Sequence, residues 1–156
     1  MLASLKLVDL VKSNAAEIAG LWVKDVEKNK RTPHYHNFSR EKLIPIAEEF
    51  YRQLANLVIS ANTYEETQKY FHDYAENAYN NGIPVHEAIY AVVLMRRHMW
   101  LFAEFQDVFS TNVEHQQAID SIIRTILVMD YAFFKIAQYY RELLENETQK
   151  NAATGR

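Results

Sequence analysis

Glycine and proline together occupy only six of the 156 positions, about 4% where average sequences carry about 12%. A β-sandwich or barrel reverses direction every eight to twelve residues, usually on Gly, Pro or Asn-Gly, and this chain cannot supply those turns. The shortage therefore predicts long helices joined by few connections: an all-α, single-domain bundle of about five helices, globin-like or up-down. With 49% apolar residues and this length, the core needs no covalent or metal staple. The chain has no cysteine, which removes disulfides, thiolate nucleophiles and thiolate-ligated metal centres.

The few glycines and prolines mark the joints. A first helix is expected from about Leu5 to Lys28, with an interruption near Ser13, and Ile18, Leu21, Trp22 and Val26 recurring at helical spacing. Thr32 to Phe38 reads as the longest loop, because Pro33 pushes Thr32 toward an extended conformation. Ser39 is the expected N-cap of a second helix to about Ala61, with Pro45 imposing either a kink or a later start near Ile44. A third helix is capped at Asn62 or Thr63 and stopped by Gly82, its inward stripe being Tyr70, Phe71, Tyr74, Ala75 and Ala78. Gly82-Ile83-Pro84 then opens a fourth, largely apolar helix to about Phe109. Thr111-x-x-Glu114 caps a fifth reaching about Glu147. Residues 1–145 thus form the helical domain, and Asn146 to Arg156 reads as a polar, disordered tail.

A net charge of −3 argues against nucleic acid as a partner. The longest apolar run, Ala88 to Met95, is far too short to span a membrane, so the chain reads as soluble and cytoplasmic.

Metal and catalytic chemistry finds little purchase. None of the six histidines follows a glutamate by three residues, so the ligand pair of carboxylate-bridged di-iron bundles is missing. His86-Glu87 lacks the second histidine of a zinc helix, since Tyr90 stands there. His72-Asp73 matches the paired ligands of HD-type metal-dependent phosphohydrolases, with His34 or His36 upstream and Asp120 or Asp130 downstream as nominal completions, although Tyr70, Phe71 and Tyr74 crowd the dipeptide. No phosphate-binding glycine loop or nucleophile elbow occurs. The expectation is a protein that is not an enzyme.

His98 shares a helical face with Ala91, Leu94, Met95, Leu101, Phe102 and Phe105, a setting for an axial haem ligand or for a buried core histidine. Arg96 falls with Ile89, Val93, Trp100 and Ala103, and Asp130 with Ile119, Ile123, Ile126 and Phe133, on inward stripes of two long helices, which suggests a buried ion pair that fixes their register. A small-molecule pocket would gather Trp22, Arg96, His98, Trp100 and Tyr131. Tyr131, Phe134, Gln138 and Arg141 recur on one side of a fifth helix longer than the core needs and would suit the seam of a symmetric homodimer formed through the first and fifth helices.

Several of these positions recur together in one family. Trp22, Thr32-Pro33-x-Tyr35, Gly82-Ile83-Pro84-x-x-Glu87-x-Ile89, Leu94-x-Arg96-Arg97-x-x-Trp100-x-Phe102 and Asp130-Tyr131-Ala132, in that order and spacing, resemble the N-terminal sensory domain of RsbRD type. That domain is found in RsbR-like co-antagonists of bacterial stressosomes and ahead of other signalling modules. The resemblance covers roughly Ala15 to Leu143. It implies a non-catalytic input domain for signal transduction and stress-response regulation, globin-like in architecture, commonly without haem and usually dimeric, which biases a downstream output module. No output module accompanies it in this sequence, so phosphotransfer and kinase binding are not carried over.

Overall fold

A computed structural model describes residues 2–59, 63–105 and 112–155. Among these are six α-helices: α1 (Leu2–Ser13), α2 (Ala15–Val26), α3 (Arg40–Ile59), α4 (Thr63–Asn80), α5 (Val85–Phe105) and α6 (Asn112–Thr154). A short 3-10 helix, Pro33–Asn37, lies between α2 and α3, and the described residues include no strand. The expected Asn62 cap, the helix ends at Ala61 and Phe109 and the Thr111-x-x-Glu114 cap lie outside the described residues.

The expected interruption of the first helix is present. Asn14 leaves the helical region (φ −117°, ψ 20°), yet its backbone N–H still donates to the Leu10 carbonyl at 3.1 Å and its side-chain amide donates to the same oxygen at 2.8 Å. One residue thus bends the segment into α1 and α2 with little loss of hydrogen bonding. Ser39 starts α3 as expected, accepting from the Leu43 N–H through its carbonyl (3.1 Å) and from the Lys42 N–H through its hydroxyl (3.3 Å). Pro45 does not delay that start. It sits on the exposed side of α3, where water can serve the Glu41 carbonyl deprived of its partner.

The α4–α5 joint is a Schellman motif. Gly82 adopts φ +76°, its N–H donates to the Tyr79 carbonyl at 2.9 Å, and the Ile83 N–H reaches back to the Ala78 carbonyl at 3.1 Å. Ile83 is buried behind it, and α6 pins the joint through the Tyr140 hydroxyl, which donates to the Ile83 carbonyl at 2.6 Å.

Helix α5 is the centre of the molecule. Ala88, Ala91, Val92, Leu94 and Met95 are fully buried, with α2 on one side and α6 on another. Two aromatic donors reach across to its backbone: Trp22 Nε1 to the Ala91 carbonyl (2.9 Å) and the Tyr51 hydroxyl to the Met95 carbonyl (2.7 Å). Each satisfies a polar group that burial would otherwise strand. Phe50, Phe71 and Tyr74 form an aromatic cluster between α3 and α4, the inward stripe of α4 falling where its spacing placed it.

Helix α6 does not stop near Glu147. It is continuous through Thr154, 43 residues and about 65 Å long, and Asn146 to Thr154 of the expected disordered tail are exposed helical turns.

Candidate functional site

Two regions carry polar chemistry or unsatisfied surface: the junction of α2, the 3-10 helix and α5, and the outer face of α6. At the junction, the end of α2 is closed by Thr32, fully buried, whose hydroxyl donates to the Val26 carbonyl at 2.9 Å and so caps a helix-terminal acceptor. Pro33 then launches the 3-10 helix, which carries Tyr35 into the core edge-on against Trp22 at 6.0 Å between centroids. Glu87, in the first turn of α5 and 1% exposed, accepts from the His34 backbone N–H at 2.8 Å and pairs with His34 Nδ1. One carboxylate therefore ties the loop to the α5 N-terminus, where the helix dipole also favours negative charge.

A second histidine–carboxylate contact lies farther along the same interface. His98 Nε2 meets Asp25 Oδ2 at 2.7 Å, and Asp25 also accepts from Asn29 Nδ2 at 3.0 Å. Burial opposes ionisation of Asp25, but the hydrogen bonds from Asn29 and His98 outweigh it and hold its carboxyl below the usual carboxylate range. His98 is consequently neither on a purely apolar face nor free: haem ligation through Nε2 would first have to displace Asp25.

The expected Arg96–Asp130 ion pair does not form. Asp130 is exposed, whereas the Arg96 guanidinium lies over the Trp100 ring at 5.4 Å and the Phe133 ring at 5.6 Å, a cation–π sandwich between α5 and α6. A planar cation that can stack on two rings gives up less hydration there than in a buried pair. The Trp100 indole N–H is shielded from solvent and finds no acceptor among the described residues.

Nor do the five proposed pocket residues meet. Trp22 of α2 points at the α5 backbone and His98 of α5 at Asp25 of α2, whereas Arg96 stacks with Trp100 and with Phe133 of α6, and Tyr131 packs edge-on against Tyr64 of α4 at 5.8 Å. Arg96 and Trp100 line an open groove of about 320 Å³ with Val93, Arg97, Leu101 and Glu104.

The HD-type ligand set is not assembled among the described residues. His72 and Asp73 gather only Glu76, one turn along the exposed face of the same helix, while His34 is engaged by Glu87 and His36 Nε2 by the Asn29 carbonyl at 2.9 Å. His86 is exposed, as its place in a first turn suggested.

The outer face of α6 is where apolar surface collects. Ile119, Ile123, Leu127, Tyr131, Phe134 and Leu144 are all exposed, Phe134 at 57% and Leu144 at 63%. On the opposite side of the same helix Ser121, Thr125, Val128, Met129, Ala132 and Ile136 are buried against the body. Gln138 and Arg141 continue the outer face. Gln138 accepts from Lys135 Nζ at 3.1 Å, and Arg141 Nε donates to Glu145 at 3.0 Å. Beyond the body, α6 overhangs the α4–α5 joint and encloses with it an open groove of about 870 Å³ bordered by Tyr79, Val85, Tyr140, Leu144 and Thr148. The Tyr79 hydroxyl donates across it to Glu147 at 3.0 Å.

The sequence pointed to Tyr131, Phe134, Gln138 and Arg141 as one face, and they are. Ile119 and Ile123, expected on an inward stripe with Asp130, lie on it instead, at 57% and 50% exposure, together with Leu127. Asp25 went unnoticed because nothing in the sequence says which residue 73 positions away faces His98. No family model, no curated protein and no solved structure matches the chain. No helix among the described residues is long and apolar enough to cross a membrane.

Proposed function

We propose that this chain is a non-catalytic input or regulatory domain of bacterial signal transduction, which senses a signal or binds a partner and passes the change along its long helices and through a dimer seam on α6. The observation that carries the reading is the exposed apolar stripe on a helix whose other side is fully committed to the core. Contiguous apolar surface of that kind marks an interaction site rather than a catalytic one. The RsbRD-type resemblance supports the same class: Trp22, Thr32, Tyr35 and Glu87, four of the positions that carry it, converge on the α2–α5 junction, a packed knot able to couple a loop to the central helix. The stripe and the junction lie on different sides of α5 and α6, so a perturbation at one has a continuous packed route to the other.

Sedimentation equilibrium tests the reading. The chain is expected to be dimeric in the micromolar range, and Phe134→Glu, which charges an exposed position without touching the core, is expected to yield folded monomer. A chain that stays monomeric at high micromolar concentration contradicts the seam. A haem-binding sensor would instead acquire a Soret band that His98→Ala abolishes.

A further inference from the structure

Along α6 the exposed residues follow a heptad spacing of four and three: Ile123, Leu127, Asp130, Phe134, Ala137, Arg141, Leu144 and Thr148, all of them exposed. This is the spacing that the seam of a two-stranded coiled coil uses, and its two charged members would decide how a second copy is laid on it. In a parallel two-fold pair every residue meets its own copy, so Asp130 would face Asp130 and Arg141 would face Arg141 in the middle of the seam. In an antiparallel pair centred between Lys135 and Ile136, Asp130 meets Arg141 twice, Leu127 meets Leu144 twice, and Phe134 packs over Ala137, a large residue against a small one. The flank agrees: that register brings Arg124 to Glu145 and Tyr131 to Gln138.

We infer that α6 pairs with α6 of a second copy of this chain in antiparallel orientation, with Asp130 and Arg141 joined across the two-fold axis. Within one chain Arg141 gives only Nε to Glu145, which leaves its two terminal nitrogens for the carboxylate of the second copy. Asp130 is exposed and has no basic neighbour one turn away on its own helix, where Ile126, Leu127, Phe133 and Phe134 stand. The arrangement also places the overhang of α6, which its own body does not cover, against Ile119 to Leu127 of the other copy, so both exposed stretches are buried by one contact. The inference rests on the proposed dimer seam and adds orientation and register.

Two experiments test it, both helped by a chain that contains no cysteine. Asp130→Arg and Arg141→Asp are each expected to raise the dimer dissociation constant by about tenfold or more through like-charge contacts at the seam, and the double exchange is expected to return it to near the parent value. Under mild oxidation, the double variant L127C/L144C is expected to form covalent dimer, and Leu127→Cys alone is not, because in this register two copies of position 127 are about 25 Å apart along the axis. Efficient cross-linking of Leu127→Cys alone, or a double charge exchange no better than the singles, overturns the antiparallel register while a dimer in sedimentation leaves the seam standing. A monomer at all concentrations overturns both. Helical content by circular dichroism, expected to be unchanged in every variant, separates loss of pairing from loss of fold.

Discussion

Asp25 shows how a single side chain joins two elements and makes their union pH-dependent. Its carboxyl is held below the usual range, chiefly by hydrogen bonds from Asn29 and His98 acting against the burial that opposes ionisation. A carboxyl whose folded value is depressed binds protons more readily in the unfolded chain, so its contribution to stability is present above about pH 4 and is lost as pH falls through the lowered folded value. Asp25→Asn is expected to cost about 1.5–3 kcal/mol near neutral pH, the range for a hydrogen bond to a charged group, and progressively less as pH falls through the lowered folded value. Urea denaturation of both proteins across that window checks it; a gap that does not change with pH would mean the charge plays no part. The glycines give a second test, with opposite signs. Gly82→Ala must hold a Cβ at φ +76° and is expected to destabilise by about 1 kcal/mol even though no atom lies within 4 Å, whereas Gly20→Ala, in the middle of α2 with the same open space and ordinary helical backbone, is expected to stabilise by about 0.5–1 kcal/mol.

At the scale of the elements, α6 does two jobs on two faces. The buried face through Met129, Ala132 and Ile136 closes the core, so Met129→Ala is expected to cost about 2–5 kcal/mol. Leu127→Asp on the other face is expected to change stability of the folded monomer by less than about 0.5 kcal/mol while weakening association. Thermal melts read at two protein concentrations distinguish the two, since only a change at the seam alters their concentration dependence. Most of this layout is legible in the sequence. Gly82 and Pro84 fix a joint, Ser39 a cap, and the α4 stripe from Tyr70 to Ala78 its inward face, because each is set by local backbone chemistry or by period. What was not legible depends on who stands opposite. Arg96 reads as one half of an ion pair with Asp130 on helical position alone, but the rotation of α6 turns Asp130 outward and Phe133 inward, and the guanidinium stacks on the ring instead. The same rotation puts Ile119 and Ile123 outside with Leu127, although helical position alone sets those two isoleucines on an inward stripe with Asp130. The length of α6 was underestimated because Asn146 to Thr154 offers no apolar face to a body, and an exposed helix of that composition looks like a tail until a neighbouring surface is considered.

The whole molecule joins a rigid centre to an uncovered apolar surface. Helix α5 is locked by donors from α2 and α3 to its own carbonyls, and the α2–α5 junction is closed by Thr32, Glu87 and the His98–Asp25 contact. Against this stands an outer face of α6 that a lone chain leaves in water. The central claim is that this face is completed by a second copy of the chain, and a distance measured between two copies of one position tests it most directly. A spin label at Gln149→Cys, an exposed site in the overhang, reports that distance by dipolar spectroscopy. Two such labels in an antiparallel pair centred between Lys135 and Ile136 are expected about 40 Å apart, from the helical rise of about 1.5 Å per residue on each side of the centre. A distribution centred there supports the pairing of α6 with itself. The absence of any intermolecular distance at concentrations where the protein is fully folded would contradict it.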